Sequence, residues 1–177
     1  MNWKVLTGIL LLSLMSALYG CGGGNDWNSA LLNTRKTAVV SFSAISTSVL
    51  PNPIGGITIT TILPSGVTVP TDPSNPRMIS SSALVTGSAL ASIPNDGYSK
   101  IIQGDYSSAG RQVRITVASY MGFGPGEYAR LTCTVDPGVT FTTSGFNLLN
   151  TPPLGFEAYD YLTNDISGYL IPQFTVN

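Results

Sequence analysis

Gln112-Val-Arg-Ile-Thr-Val-Ala-Ser119 and, past a glycine-rich break, Glu127-Tyr-Ala-Arg-Leu-Thr-Cys-Thr-Val135 decide the fold. In the first stretch Val113, Ile115 and Val117 alternate with Arg114 and Thr116. In the second, Ala129, Leu131, Cys133 and Val135 alternate with Tyr128, Arg130, Thr132 and Thr134. A period of two sends successive side chains to opposite faces. Each stretch therefore reads as a strand with one face on a core and one in water.

Outward from these two, the same texture recurs at residues 37–43, 56–63, 67–69, 82–90, 98–103, 155–161 and 169–176. Turn chemistry separates the runs: Pro51-Asn-Pro53, Pro64-Ser-Gly66, the prolines from Pro70 to Pro76, Pro94-Asn-Asp-Gly97, Gly122 to Gly126, Asp136-Pro-Gly138 and Pro152-Pro153. Nine short strands with such punctuation predict an all-β fold, two facing sheets in a sandwich roughly 10 Å thick. No stretch after residue 33 carries a helical period. Pro172 interrupts the last run, which suits an edge strand or a bulge.

The first twenty residues differ in kind. Lys4 precedes an apolar run from Val5 to Met15, and small residues lead to Leu18-Tyr-Gly-Cys21. This is the layout of a secretory signal, and its apolar core is shorter than the roughly 20 residues that span a bilayer. Leu18-x-Gly20-Cys21 resembles the lipobox of bacterial lipoproteins. The resemblance implies cleavage before Cys21 and lipidation of that cysteine, with Gly22 favouring the outer membrane. Two or three acyl chains anchor stably where one does not. Residues 21–36, opening Cys21-Gly-Gly-Gly-Asn25, then read as a flexible tether, and residues 37–177 as the domain.

Removing the signal leaves 157 of the 177 residues, enough for one domain with its own core. Charged residues make up 10% of the chain and the net charge is −1, with no basic block to recommend a nucleic-acid partner. The chain contains no histidine, which removes Ser-His-Asp and Cys-His catalysis and the usual zinc sites. Glu127 and Glu157 are the only glutamates, so they are the one glutamate pair available to a two-carboxylate glycosidase. Asp160, Asn164 and Asp165, with Asn95-Asp96, are the residues a structural calcium ion would use; they read first as turn formers. No other cofactor is indicated. Cys133, sharing a face with Leu131 and Val135, reads as a small buried apolar residue.

Three stretches together resemble a known family. They are Gly55-Gly-Ile-Thr-Ile-Thr-Thr-Ile-Leu-Pro-Ser-Gly-Val-Thr-Val69, the Val113-x-Ile-x-Val117 strand, and Gly124-Pro-Gly-Glu-Tyr-Ala-Arg-Leu-Thr-Cys-Thr-Val135. A Gly-Glu-aromatic-Ala turn entering a strand, after a strand of the Val-x-Ile-x-Val kind, is similar to cohesins and to related bacterial carbohydrate-binding sandwiches. The resemblance implies a nine-stranded jelly-roll sandwich over residues 37–177. Where cohesins usually carry an aromatic, an Asp-Pro and a Leu, this chain has Pro64-Ser-Gly-Val-Thr-Val69 and a proline-rich loop. The resemblance therefore carries over architecture and no binding residue.

Outward-pointing aromatics and arginines mark the candidate binding face. Arg114, Thr116, Tyr128, Arg130 and Thr132 make one polar-aromatic surface if their strands are neighbours. Tyr159 and Tyr161 alternate with Phe156 and Ala158 on a later strand. Such surfaces suit sugar stacking or a protein interface. The expectation is a non-catalytic lipoprotein of the cell envelope that binds a protein or a polysaccharide. The competing readings are a structural or assembly subunit of an envelope complex and, third, a glycoside-hydrolase accessory or weak enzyme.

Overall fold

The computed structural model describes residues 34–177. The expected signal peptide, Cys21 and most of the tether lie outside the described residues. Residues Arg35–Asn177 form one compact unit.

Among the described residues eleven strands follow one another. They are β1 (Lys36–Ser46), β2 (Ile54–Ile62), β3 (Val67–Thr68), β4 (Thr71–Asp72), β5 (Asn75–Ile79), β6 (Leu84–Thr86), β7 (Ile101–Ser107), β8 (Gln112–Phe123), β9 (Gly126–Val135), β10 (Gly155–Asp160) and β11 (Leu170–Val176). One helix, α1 (Thr143–Asn150), stands before β10. The strands make two antiparallel sheets. One has the order β11-β1-β9-β3, with β6 also paired to β9; the other runs β10-β2-β8-β7-β5-β4.

The alternation read from the sequence builds the core. Val40, Phe42 and Ala44 of β1 and Leu131, Cys133 and Val135 of β9 face inward from the first sheet. Ile57 and Ile59 of β2 and Val113, Ile115 and Val117 of β8 face inward from the second; all are buried. Each large apolar side chain removed from water stabilises by about 1.5–3 kcal/mol. Burial pushes the free Cys133 thiol up to about 12, in keeping with an inert core residue.

Four of the elements depart from the sequence reading. The proline-rich segment read as punctuation holds the small β4–β5 hairpin, turned by the Asp72 carboxylate, which accepts from the Ser74 amide (2.7 Å). The run at 82–90 is a three-residue strand followed by a 3₁₀ turn at Ser88–Leu90. The run at 98–103 starts pairing only at Ile101, because the Asp96 carboxylate gathers the Tyr98 and Ser99 amides into a turn. Finally, α1 is a helix where none was expected. Its N-terminus is capped by Thr142, whose hydroxyl accepts from the Gly145 amide (3.2 Å). Two turns are too short to display a period, and only Phe146 and Asn150 are buried.

Helix α1 closes the sandwich. Phe146 packs edge-on against Phe42 and Phe174, with ring centroids at 6.3 and 5.3 Å. Asn150 pairs with both backbone groups of Ile62, accepting from its amide (2.7 Å) and donating to its carbonyl (2.9 Å). The same helix guards a sheet edge. Val39 and Asn177 exchange both backbone hydrogen bonds. By the antiparallel alternation, Pro172 and Val176, opposite Ala44 and Val40, then aim their nitrogens away from β1. Proline has no N–H to offer there, and the Val176 amide donates to Thr143 Oγ1 (2.8 Å). Pro172 thus lies on an edge strand, as its residue type requires.

Candidate functional site

Two features dissolve the face expected from Arg114, Thr116, Tyr128, Arg130 and Thr132. First, β8 and β9 belong to different sheets. The short Gly124-Pro125 connection crosses between layers, so Arg114 and Thr116 lie on the outside of one sheet, Arg130 and Thr132 on the outside of the other. Second, β9 bulges. Its register with β1 steps from Phe42–Ala129 to Ser43–Glu127, leaving Tyr128 as the extra residue. Tyr128 and Ala129 consequently both turn inward. Tyr128 is fully buried, 6.5 Å from the Phe42 ring, and its hydroxyl has no hydrogen-bond partner.

The bulge also settles the glutamates. Glu127 belongs to the first sheet and accepts from Arg130 Nε at 2.7 Å. Burial alone raises its carboxyl, but hydrogen bonds from Ser41, Arg130 and Ser88 outweigh this and hold it below the usual range. Glu157 lies exposed on β10 of the other sheet. The two do not form the facing pair a glycosidase needs.

The structure does unite Arg114, Thr116 and Tyr159 with Tyr161. Strands β10, β2, β8 and β7 present one outer surface whose register is explicit. Tyr159 sits opposite Gly56, Gly56 opposite Ala118, and Ala118 opposite Ile101. The next row is Glu157, Thr58, Thr116 and Gln103, and the one beyond it Gly155, Thr60, Arg114 and Asp105. Thr58 and Thr116 hydroxyls meet at 3.2 Å.

At the first row the surface sinks into a trough of about 360 Å³. Gly55, Gly56 and Ala118 form its floor; Tyr120 stands on one side, Tyr159 and Tyr161 on the other. The three rings are 71%, 43% and 46% exposed, unusual for such large side chains to share one depression. The two glycines serve it differently. A Cβ on Gly55 would lie 2.6 Å from the Asp160 carbonyl oxygen, so the backbone closes there only without one. A Cβ on Gly56 would meet nothing nearer than 3.4 Å, so its absence leaves depth in the floor.

Each wall is pinned by an aspartate. Ser99 Oγ donates to the Asp96 carboxylate (2.6 Å) and lies 3.3 Å from the Tyr120 hydroxyl. Asp160, buried at the other wall, accepts from Asn52 Nδ2, the Leu162 amide, and both the amide and Nδ2 of Asn164, all at 2.8–2.9 Å. The Tyr161 amide donates to the Pro53 carbonyl (3.2 Å). Hydrogen bonds, led by that from the Ser99 side chain, lower Asp96 to about 2; the Asn164 side chain leads in lowering Asp160. Of the residues considered for calcium, Asp96, Asp160 and Asp165 are thus engaged as turn builders, their oxygens facing N–H and O–H donors. Among the described residues no group of three or more His, Cys, Asp or Glu side chains is placed to hold a metal.

Sequence reasoning found Tyr159 and Tyr161 by alternation. It missed Tyr120 and the Gly56 floor, for which the available signal was Gly55-Gly56 inside an otherwise β-branched strand.

No family model matches the chain, and no curated protein matches it. Among solved structures it is similar to a chain of a type II cohesin–X-dockerin complex from Acetivibrio cellulolyticus, at 14% identity and a TM-score of 0.46, covering 76% of this chain and 83% of that one. It is also similar to the second type II cohesin module of the cellulosomal adaptor scaffoldin ScaA of the same organism, at 10% identity and a TM-score of 0.41, covering 73% and 81%. A form of that module with a long C-terminal linker gives 10% and 0.39, covering 72% and 74%. These neighbours carry the same family name as the resemblance read from the sequence, while the β-sandwich itself rests on the strand order and core of this chain.

Proposed function

We propose that this chain is a non-catalytic binding module of the cell envelope, tethered by a lipid on Cys21, that grips an extended macromolecule across the outer face of β10-β2-β8-β7. The tyrosine trough carries this reading. Its rings are exposed, converge on one apolar depression and are fixed by hydrogen-bonded turns, which is how a preorganised binding surface differs from a merely solvated face. The depression opens onto a sheet surface, which suits a chain laid along it better than an enclosed small molecule.

The partner is a polysaccharide stacked on the tyrosines or a protein. The protein reading draws on Ile101, which sits opposite Ala118, extends the apolar surface beyond the trough and is more than half exposed. A glycan array probed with the full chain, alongside crosslinking of intact cells, separates the two. Retention of every captured partner by the Tyr120→Ala, Tyr159→Ala double variant would refute the face. Tethering has its own test: Cys21→Ser yields an unprocessed precursor that leaves the detergent phase, and a variant still partitioning like the parent would refute the anchor.

A further inference from the structure

Four residues along β8 from the trough, roughly 13 Å at about 3.3 Å per residue, the same surface opens into a larger cleft of about 770 Å³. Arg77 and Arg114 line it together with Thr60, Asp105, Tyr106 and Gln112. Two of the chain's eight cationic residues thus meet at one end of the face in a protein of net charge −1. They are not consumed by ion pairs. Among the described residues the only salt bridges join Arg35 to Asp136 and Arg130 to Glu127. Asp105 faces Arg114 across the β7–β8 ladder but forms no salt bridge with it, and two arginines against one aspartate leave the cleft a net positive charge.

Between trough and cleft the surface is neither apolar nor basic. Thr58, Thr116 and Gln103 occupy that row, with Glu157 at its end. A protein interface of this length would bury an apolar centre; hydroxyls and an amide instead suit a chain that itself carries hydroxyls. We propose that the face takes an acidic polysaccharide, its sugar rings stacked in the tyrosine trough and its carboxylates held at Arg77 and Arg114. Guanidinium forks match carboxylates in two-point contacts, which makes arginine rather than lysine the fitting cation here. This inference rests on the binding face proposed above and names what lies on it.

The test uses the full chain in detergent micelles and titration calorimetry with three probes: polygalacturonate, the same polymer with its carboxyls methyl-esterified, and polyglutamate. Binding to polygalacturonate should exceed binding to the ester by at least about tenfold, as loss of charge-assisted hydrogen bonds predicts, and should weaken as salt rises. Arg77→Gln with Arg114→Gln, both surface changes, should abolish that preference while leaving residual binding to the ester. Gly56→Val should weaken binding to both polymers. Equal affinity for acid and ester, or an undiminished preference in the double arginine variant, overturns the inference. So does binding of polyglutamate with no binding of either polysaccharide, which assigns the cleft to an acidic protein segment. Failure of polygalacturonate while Gly56→Val still abolishes capture of a crosslinked partner overturns the glycan and leaves the face standing. Indifference of every ligand to Gly56→Val overturns the face as well.

Discussion

Tyr128 and the two wall aspartates each hold a polar group under constraint, and each constraint can be measured. The Tyr128 hydroxyl is sealed in the core with no partner. Leaving such a group unsatisfied costs about 1–3 kcal/mol, so Tyr128→Phe should raise the urea midpoint, and Tyr128→Ala should lower stability by about 3–5 kcal/mol through the cavity it leaves. Asp96 and Asp160 work in the opposite sense. Their folded carboxyls titrate below the ordinary value of 3.8, Asp96 at about 2. A depressed folded pKa means the unfolded chain takes up protons first. The stabilisation is therefore present above pH 3.8 and is lost as pH falls toward 2. Unfolding followed from pH 6 to pH 2 should show a fall concentrated below about pH 4, with Asp160→Asn and Asp96→Asn each making it shallower.

At the scale of elements, α1 and β2 make separable contributions. Phe146 joins the helix to Phe42 and Phe174, and Phe146→Ala should cost about 3–5 kcal/mol in chemical denaturation. Gly56 sits mid-strand with room for a side chain, so Gly56→Val should leave stability unchanged or raise it by about 0.5–1 kcal/mol while filling the trough. A thermal midpoint that fell steeply would show that the glycine is structural. Strand alternation at Val113–Val117 and Leu131–Val135 was readable because burial on one face imposes it directly. The β9 bulge was not, since one extra residue reverses the faces upstream of it without changing residue type. Helix α1 escaped for want of length. Its cap at Thr142 and the paired Phe146 and Asn150 were the available clues.

For the whole molecule, the sandwich was legible in the spacing of turns, whereas the assignment of strands to sheets was not. Adjacent runs such as β8 and β9 invite reading as a hairpin, and only the packed structure reveals that the chain changes layers at Gly124-Pro125. That crossing separates Arg130 and Thr132 from Arg114 and Thr116 and gives the two outsides of the sandwich independent surfaces. Arg130→Ala should thus leave ligand affinity on the β10-β2-β8-β7 side unaltered in calorimetry, while Tyr159→Ala lowers it.

Copies tethered as proposed to one membrane plane would collide far more often than copies free in solution, and exposed strand margins are where sandwiches fuse into ribbons. At β11, proline withholds one donor and the threonine opening the helix occupies another. At β10, the outward Ala158 amide is taken by Ser167 Oγ (2.8 Å) and its carbonyl by the Ile166 amide (2.8 Å). A lawn of such domains could stand shoulder to shoulder with fewer open donors on those margins, leaving the broad flank as the surface open to visitors.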